Sequence, residues 1–196
     1  MKTIFSSPLF FLVLLGLIIG VLLTNHSVSA QSKTTGTHNS YFKEAWDLQQ
    51  IGTLSKQKNL PIMLMFGAEY CEYCKLLIEE VLEPMALSGL YDEKVIIMRH
   101  IGVDEPKRIP DWNGHLIKKS QWAYQLNADL TPTVLFVNST GKEVAPRIIG
   151  IPEITLYASL IHQNINTAYQ NMGLEKYIPA TPELLYLQTN ENSRAK

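Results

Sequence analysis

Cys71 and Cys74 are the only two cysteines among 196 residues, and they lie three positions apart where an apolar run gives way to a helical pattern. The run at 61–66 has the length and character of a buried strand, and the glycine after it lets the chain turn. From Cys74 to Met85, apolar residues recur at helical spacing. The pattern therefore predicts a strand, a turn and an amphipathic helix, with both thiols at the start of the helix.

The start of a helix favours ionisation of a cysteine. Backbone N–H groups without helical partners, together with the helix dipole, stabilise a negative charge there. We therefore expect Cys71 to form a thiolate near neutral pH, and Cys74, one turn further in, to remain a protected thiol. In this interpretation Cys71 is the catalytic nucleophile, Cys74 is the resolving thiol, and the two form a redox disulfide.

Three other interpretations of this pair stay open. A structural disulfide would close a ring of four residues, which gains about 2 kcal/mol in the chain-entropy model, against about 3 kcal/mol for a fifteen-residue loop. A metal site needs about four nitrogen or sulfur ligands, and the histidines are scattered with no second close pair. The two cysteines could also be unrelated buried residues. We favour a redox role, and we predict neither a metal nor a cofactor.

The N-terminus has the pattern of a secretory signal peptide. Lys2 is followed by an uncharged apolar stretch at 9–23, and the small residues at 28 and 30 form a cleavage signal. We expect residues 1–30 to be removed and the remainder to be exported across the inner membrane to the periplasm, an oxidising compartment. The alternative is that residues 9–23 stay as a membrane anchor with the domain facing the periplasm, since a span needs about 17 apolar residues.

Charge and length bound the mature chain. Without residues 1–30, which hold one basic and no acidic residue, the 17 basic and 18 acidic residues become 16 and 18, a formal charge of −2. No basic run supports binding to nucleic acid or to an anionic membrane surface. The 166 residues left are enough for one domain. We expect a monomer with a flexible leader at 31–40, a folded domain at 41–172 and a C-terminal tail at 173–196, of which the last twenty residues are loosely packed or disordered.

The rest of the chain alternates between helical and strand patterns in the order αβαβαββα. The first helix is expected at 41–58, and Pro84 is expected to kink or end the helix that follows the cysteines. The residues of the first helix expected to face the core are Phe42, Ala45, Trp46 and Ile51. The later elements are a strand at 95–103, a polar excursion at 104–119, a helix at 120–127, strands at 133–137 and 144–149, and a helix at 153–171.

Several of these segments together resemble the thioredoxin family. They are the C-x-x-C helix, the sequence Leu130-Thr131-Pro132-Thr133 before a strand, the turn Gly141-Lys142-Glu143-Val144, and Gly150 before the final helix. The resemblance covers about 41–172. It implies an α/β thioredoxin-like fold, in which a central mixed β-sheet is flanked by helices and an insertion follows the second core strand. The sequence Asp111-Trp112-Asn113-Gly114 in the insertion most resembles the exported SoxW-type thioredoxin-like proteins.

The resemblance also implies a cis peptide bond before Pro132 and places this proline against the dithiol. A cis bond turns the chain sharply and exposes the flanking backbone, so that Thr131 can pair with an extended substrate near Cys71. The alternative is an ordinary trans proline at the start of a strand. The residues expected to contact substrate are Tyr70, Glu72, Tyr73, Thr131 and Pro132.

Two positions depart from the family pattern. Thioredoxins usually carry a buried aspartate six residues before the first cysteine, where it helps to move the proton of the resolving thiol, and this chain has Met65 there. Glu69, Glu105 or water remain open as substitutes for that acid. His100 falls near the place of a buried lysine on the adjacent strand, where it is either a group that tunes the dithiol or an ordinary core histidine.

We therefore predict an enzyme, a thiol-disulfide oxidoreductase acting on disulfides of proteins or small molecules. In the reducing direction Cys71 attacks a substrate disulfide and Cys74 displaces the product. A strong oxidant needs a strongly stabilised thiolate, and the charge of Glu72 beside Cys71 disfavours one, so we favour a disulfide reductase or electron carrier. In an oxidising compartment it would need an electron donor, and the resemblance suggests a membrane thiol-disulfide relay.

Other functions remain as alternatives. The same dithiol in the opposite direction would give a disulfide oxidase or isomerase. The groove around Thr131 and Pro132 could serve a non-catalytic binding or chaperone module, which would keep its partner after Cys71→Ala. An anchored structural protein would use the leading apolar segment and the tail.

Overall fold

The computed structural model describes residues 40–194, and a mixed four-stranded sheet lies at the centre of this part of the chain. The elements are α1 (Leu48–Lys58), β1 (Ile62–Gly67), α2 (Glu72–Leu77), a π-helical turn (Ile78–Leu82), α3 (Glu83–Leu87), β2 (Ile97–Gly102), β3 (Arg108–Pro110), β4 (Leu116–Lys118), α4 (Lys119–Gln125), β5 (Thr133–Val137), β6 (Glu143–Ile149), a 3-10 turn (Ile154–Leu156), α5 (Tyr157–Asn171) and α6 (Pro182–Arg194). The strand order is β2-β1-β5-β6.

Strand β1 is one of the two inner strands of the sheet. All six of its residues are buried, as its unbroken apolar sequence predicts for a strand covered on both faces. It runs parallel to β2 and antiparallel to β5, and β6 pairs antiparallel with β5. Met65 lies opposite His100 on one side and Val134 on the other. The predicted fold class, a mixed sheet flanked by helices with an insertion after the second core strand, is confirmed.

The first helix is shorter than the predicted range of 41–58. It begins at Leu48, because the Asp47 side chain accepts a hydrogen bond from the Gln50 N–H and caps the helix. The segment before it is extended and pairs with β2, where the Ala45 N–H donates to the His100 carbonyl at 2.8 Å. Phe42, Ala45 and Ile51 are buried as predicted.

The prediction that Trp46 faces the core is wrong. Half of this residue is exposed, because it lies on the extended segment and not on a helix. Its ring instead receives the ammonium groups of Lys107 and Lys119, at 4.3 and 5.0 Å from the ring centroid. The prediction failed because it placed Trp46 on the inner face of a helix that begins only at Leu48.

The helix after the cysteines continues past Pro84, in three consecutive segments that end at Leu87. Its middle segment is a π-helical turn, in which the Glu83 N–H donates to the carbonyl of Ile78, five residues earlier. Proline has no N–H to donate and its ring displaces the preceding turn, so the wider turn lies just before it. Pro84 therefore distorts the helix and does not end it.

The polar excursion contains a short hairpin, β3 paired with β4, and a tryptophan that attaches it to the domain. Trp112 faces two glycines: a Cβ added at Gly141 would lie 2.1 Å from its Nε1, and one added at Gly52 would lie 3.3 Å from its Cε3. Its ring also meets Trp122 edge-on, with centroids 6.4 Å apart. Because glycine has no side chain, Gly52 and Gly141 leave room for the Trp112 ring and so for the insertion.

Loose packing or disorder is expected for the last twenty residues, but as far as Arg194 the structure has a helix and two buried side chains there. Residues Pro182–Arg194 form α6, and both Ile178 and Leu185 are buried. The amide of Asn166 on α5 makes two hydrogen bonds to the backbone of Ile178, each of 2.9 Å. Side-chain hydrogen bonds to the main chain thus hold a segment whose proline content had suggested disorder.

The buried His162 joins three parts of the domain. Its Nδ1 donates to the Pro179 carbonyl at 2.6 Å, so the neutral ring is left with a bare Nε2, which accepts from the Tyr91 hydroxyl at 2.8 Å. Burial lowers the pKa of His162, against the opposing effects of the Pro179 carbonyl and the Glu183 charge. The ring therefore connects α5, the tail and the segment before β2 while it is uncharged.

The predicted signal peptide at 1–30 and the leader at 31–40, except for Ser40, lie outside the described residues. Between residues 40 and 194, no helix has both the length and the apolar character needed to cross a bilayer.

Candidate active site

The two cysteines form a disulfide at the start of α2. Cys71 is the N-cap residue, with extended backbone, and its Sγ accepts a hydrogen bond of 3.1 Å from the Cys74 N–H. Cys71 is partly exposed, whereas only 1% of Cys74 is exposed. The structure thus has the predicted placement, one accessible sulfur over the helix start and a second buried one turn later.

The turn before the cysteines is tied to the end of the sheet. The Val103 N–H donates to the Gly67 carbonyl at 2.8 Å, and the Cys71 N–H donates to the Ala68 carbonyl at 3.2 Å. The Asp104 carboxylate accepts from the Glu69 N–H at 2.8 Å. Sequence reasoning missed Asp104, which holds the turn only because the parallel pairing of β1 and β2 brings their ends together.

The peptide bond between Thr131 and Pro132 is cis, as the resemblance implied. Thr133, the next residue, opens β5 and lies opposite Phe66 near the end of β1, so the cis bond is at the sheet edge from which the cysteine turn departs. The Pro132 carbonyl accepts from the Gly150 N–H at 2.8 Å. Pro132 is buried and Thr131 is half-buried. The fold therefore brings two segments, far apart in sequence, to one edge.

The side chains expected to contact substrate beside Cys71 point to solvent. Tyr70 is 85% exposed and Tyr73 is 68% exposed, so both rings are free to meet a partner. Glu72 is exposed as well, but the Lys75 ammonium lies 2.8 Å from its carboxylate. Hydrogen bonding to Glu72, followed by its charge, raises the pKa of Lys75. Sequence reasoning did not include this cation, which offsets part of the negative charge beside Cys71.

A partly buried charged cluster lies at the ends of β1 and β2. The Glu44 carboxylate receives the His100 Nδ1 at 2.5 Å, the Gly102 N–H at 3.0 Å and the Lys119 ammonium at 2.5 Å. The same ammonium contacts Glu105 at 2.5 Å. We name Glu44, His100, Glu105 and Lys119 the charged cluster. Burial raises the pKa of Glu44, but His100, the Gly102 N–H and Lys119 together lower it further.

Sequence reasoning singled out His100 and Glu105 but missed Glu44 and Lys119. Lys119 has no exposed surface, and it shares the buried face of α4 with Trp122 and Ala123 at positions i, i+3 and i+4. This helical spacing would have indicated that Lys119 is buried, but a charged side chain is normally expected on the exposed face of a helix. Glu69, another suggested acid, has an exposed side chain, while Met65 is fully buried.

Comparison with known proteins places the domain among thioredoxin-like proteins. A family model described as a thioredoxin-like domain matches residues 48–165. Similar solved structures include oxidised thioredoxin O2 from Arabidopsis thaliana, which is 24% identical over 63% of this chain and 94% of its own, with a TM-score of 0.42. Thioredoxin NaTrxh from Nicotiana alata is 27% identical over 59% and 83%, with a TM-score of 0.42.

A third similar structure is a DsbH oxidoreductase, 18% identical over 70% of this chain and 94% of its own, with a TM-score of 0.44. No curated protein sequence matches this chain.

Proposed function

Because this chain belongs to the thioredoxin-like domain family, we propose that it works outside the cytoplasm as a disulfide reductase or electron carrier. Family membership and the Cys71–Cys74 pair identify it as a thiol-disulfide oxidoreductase. The observation that carries the proposal is the asymmetry of the pair, with one sulfur accessible at the helix start and the other buried behind it. Such an asymmetry assigns the first attack to Cys71.

The reaction follows from this geometry. In the reduced protein the Cys71 thiolate, which the helix start stabilises, attacks one sulfur of a substrate disulfide and forms a mixed disulfide. Cys74 then attacks Cys71, the substrate leaves as a thiol, and the protein is left oxidised. The exposed Tyr70 and Tyr73, with the backbone at Thr131 beside the buried Pro132, form the surface on which an extended substrate rests.

Charge beside Cys71 supports reduction as the working direction. Only Glu72 contacts the Lys75 ammonium, at 2.8 Å, and the charges of Glu79 and Glu69 also raise the pKa of Lys75, so carboxylates outnumber this cation near the start of α2. A net negative environment disfavours the thiolate, whereas a strong oxidant owes its potential to a strongly stabilised one. The effect is reduced by solvent and by the contact between Glu72 and Lys75.

The N-terminal sequence supports an extracytoplasmic location. The signal-like pattern of residues 1–30 directs export to the periplasm, with an anchor at 9–23 as the alternative. A monomeric reductase in an oxidising compartment has to be recharged with electrons, and we assign this to a membrane thiol-disulfide relay. The narrower likeness to SoxW-type proteins belongs to the same proposal.

Activity of the reduced protein on a model peptide disulfide tests the reaction. We expect Cys71→Ser to abolish turnover and Cys74→Ser to accumulate a mixed disulfide with the substrate. Equal activity of Cys71→Ser and the parent protein would contradict the enzymatic role. A binding module would instead keep its partner and show no turnover in the parent.

The reduction potential of the pair, measured against glutathione, tests the direction. A potential at or below about −200 mV would support the reductase, and one near −120 mV, roughly that of a strong oxidant, would reassign the protein to disulfide formation.

A further inference from the structure

A cavity of about 720 Å³ runs along the outward face of α5. Its floor is formed by residues of α5 at helical spacing, from Ser159 to Gln170, and one wall is formed by Tyr177 and Ala180 of the tail. At a rise of 1.5 Å per residue the floor is about 16 Å long, which an extended peptide spans with about five residues. The volume lies within the range of about 300–1,000 Å³ that is typical of binding sites.

Hydrogen bonds fix the tail wall in the free protein. The Asn166 side chain makes two hydrogen bonds to the backbone of Ile178, and the His162 Nδ1 donates to the Pro179 carbonyl at 2.6 Å. These contacts lie between the two wall residues in the sequence, so they hold the wall against α5. The wall also lies beyond residues 48–165, the part that matches the thioredoxin-like family model. A preformed site binds without the cost of ordering its own walls.

The lining of this cavity combines apolar side chains with uncharged hydrogen-bonding ones. Among the described residues that line it, Glu153 alone is charged, and its carboxylate accepts hydrogen bonds from the N–H and the hydroxyl of Thr155. The exposed side-chain amide of Gln163 can donate and accept, as a peptide bond does. Leu156 and Tyr177 are both exposed, so large apolar surfaces are open to a partner. This chemistry fits an extended, uncharged segment of polypeptide that carries apolar side chains.

The cavity begins beside the edge that carries the cis bond. The Gly150 N–H donates to the Pro132 carbonyl at 2.8 Å, and Pro152, two residues later, lines the cavity. A second cavity, of about 300 Å³, shares Pro152 and three residues of α5 with the first and extends to Ile149. Ile149 is half-exposed and lies opposite Thr133, the residue after the cis bond. The two cavities therefore form one path from the cis-proline edge to the tail, and we name this path the α5 groove.

We propose that the α5 groove binds an extended, uncharged segment of the substrate polypeptide, about five residues long, while the substrate disulfide reacts at Cys71. This inference rests on the proposed function and narrows its substrates to polypeptide disulfides. A short disulfide contacts the edge alone and gains nothing from the groove. The reaction of the two cysteines is unchanged, and the groove adds binding energy that only a long substrate can use.

Two symmetrical peptide disulfides that differ only in length test the preference. The short one has a single uncharged residue on each side of its cysteine, and the long one has about five uncharged, mainly apolar residues on each side. For the reduced parent protein we expect kcat/KM to be about tenfold higher with the long peptide.

Gln163→Glu places a charge where the two cavities meet, and Tyr177→Ala removes part of the wall. We expect each substitution to abolish most of the preference by lowering kcat/KM for the long peptide. The value for the short peptide should stay within about twofold of the parent, because the cysteines and the cis-proline edge are untouched.

Gln121→Glu and Tyr124→Ala are the matched controls. Both residues are exposed on α4 and line neither cavity, and Tyr124 is 72% exposed, as Tyr177 is. The two control variants should reduce both peptides as the parent does.

A long peptide with serine in place of its cysteine separates binding from reaction. Fluorescence anisotropy measures its affinity for the oxidised protein. We expect this peptide to bind the parent protein and to bind Gln163→Glu about tenfold more weakly. The corresponding short serine peptide should bind neither.

The outcomes divide clearly. A loss confined to the long peptide in Gln163→Glu would support the inference. Equal kcat/KM values for the two peptides in the parent would overturn it, and so would an equal loss on both peptides in Gln163→Glu, which would mark a structural effect. A dimer in solution that Gln163→Glu separates would also overturn it, since a second copy of the chain would then fill the groove. If the serine peptide binds but the parent reduces neither disulfide, the proposed function fails and the groove remains a peptide site.

Discussion

Lys119 carries an ammonium group into the domain, where its side chain has no exposed surface. Its charge is balanced by Glu44 and Glu105, which belong to the segment before α1 and to the loop after β2. Burying an ion costs several kcal/mol, and the cost is offset only if every partner is in place. Lys119 therefore joins α4 to the two segments that carry Glu44 and Glu105, and the stability of this contact depends on all three segments being in place.

We expect Lys119→Met to lower the free energy of unfolding by about 3 kcal/mol, because the substitution leaves two carboxylates without their cation. Urea denaturation at pH 7 measures the loss. The matched control is Lys118→Met, since Lys118 is the exposed neighbour, and it should change stability by no more than about 0.5 kcal/mol. Equal effects of the two substitutions would show that the buried contacts contribute nothing.

Trp112 is one of the residues that attach the insertion between β2 and α4 to the rest of the domain. Trp112 fills the space over Gly141, whose backbone has a φ of +82°. An added Cβ would be strained by the left-handed backbone and would overlap the indole ring. The glycine thus serves both the turn between β5 and β6 and the attachment of the insertion.

For Gly141→Ala we expect a loss of about 3 kcal/mol, of which about 1 kcal/mol comes from the left-handed backbone and the rest from overpacking against Trp112. Gly173→Ala separates the two causes, because Gly173 has a φ of +69° and open space around its Cβ position. This second variant should lose about 1 kcal/mol only. Thermal unfolding of the two proteins gives the comparison, and similar losses would argue against the tryptophan contact.

Local sequence predicted most helices and strands, whereas the residues that were predicted wrongly or missed are placed by contacts between distant segments. Unbroken apolar runs predicted β1 and β5, which are buried at every residue, because a strand buried on both faces has to be apolar throughout. Trp46 and Lys119 were misjudged or missed because each is placed by pairing between segments distant in the chain. The cysteine pair was found because its chemistry depends on neighbours three residues apart. The charged cluster was not predicted as a whole, because its members lie up to 75 residues apart in the sequence.

The pH range in which the whole domain is stable depends on a buried ring. Burial lowers the pKa of His162 in the folded state, so the unfolded chain binds a proton more readily. Above about pH 6.5, the usual histidine value, both states are neutral and the full stability is present. As the pH falls through the interval between the unfolded and folded pKa values, the unfolded state gains the proton and the free energy of unfolding decreases.

We expect the parent protein to lose stability below about pH 6.5, with a slope of up to about 1.4 kcal/mol per pH unit from this one group. His162→Gln should be less stable at pH 7, since it loses contacts with Tyr91 and Pro179, and should lack this part of the slope. Urea denaturation from pH 5 to pH 8 tests this, with His115→Gln retaining the parental slope. An unchanged slope in His162→Gln would disprove the linkage.

The two hydrogen bonds between Asn166 and Ile178 bear on how this protein should be prepared. A recombinant fragment trimmed after residue 172 would deprive both that amide and the His162 ring of main-chain partners and would strip a helix from the folded unit. Any potential or rate recorded on such a fragment would describe a weakened protein. A protein expressed through to the end of α6 keeps these hydrogen bonds and this helix.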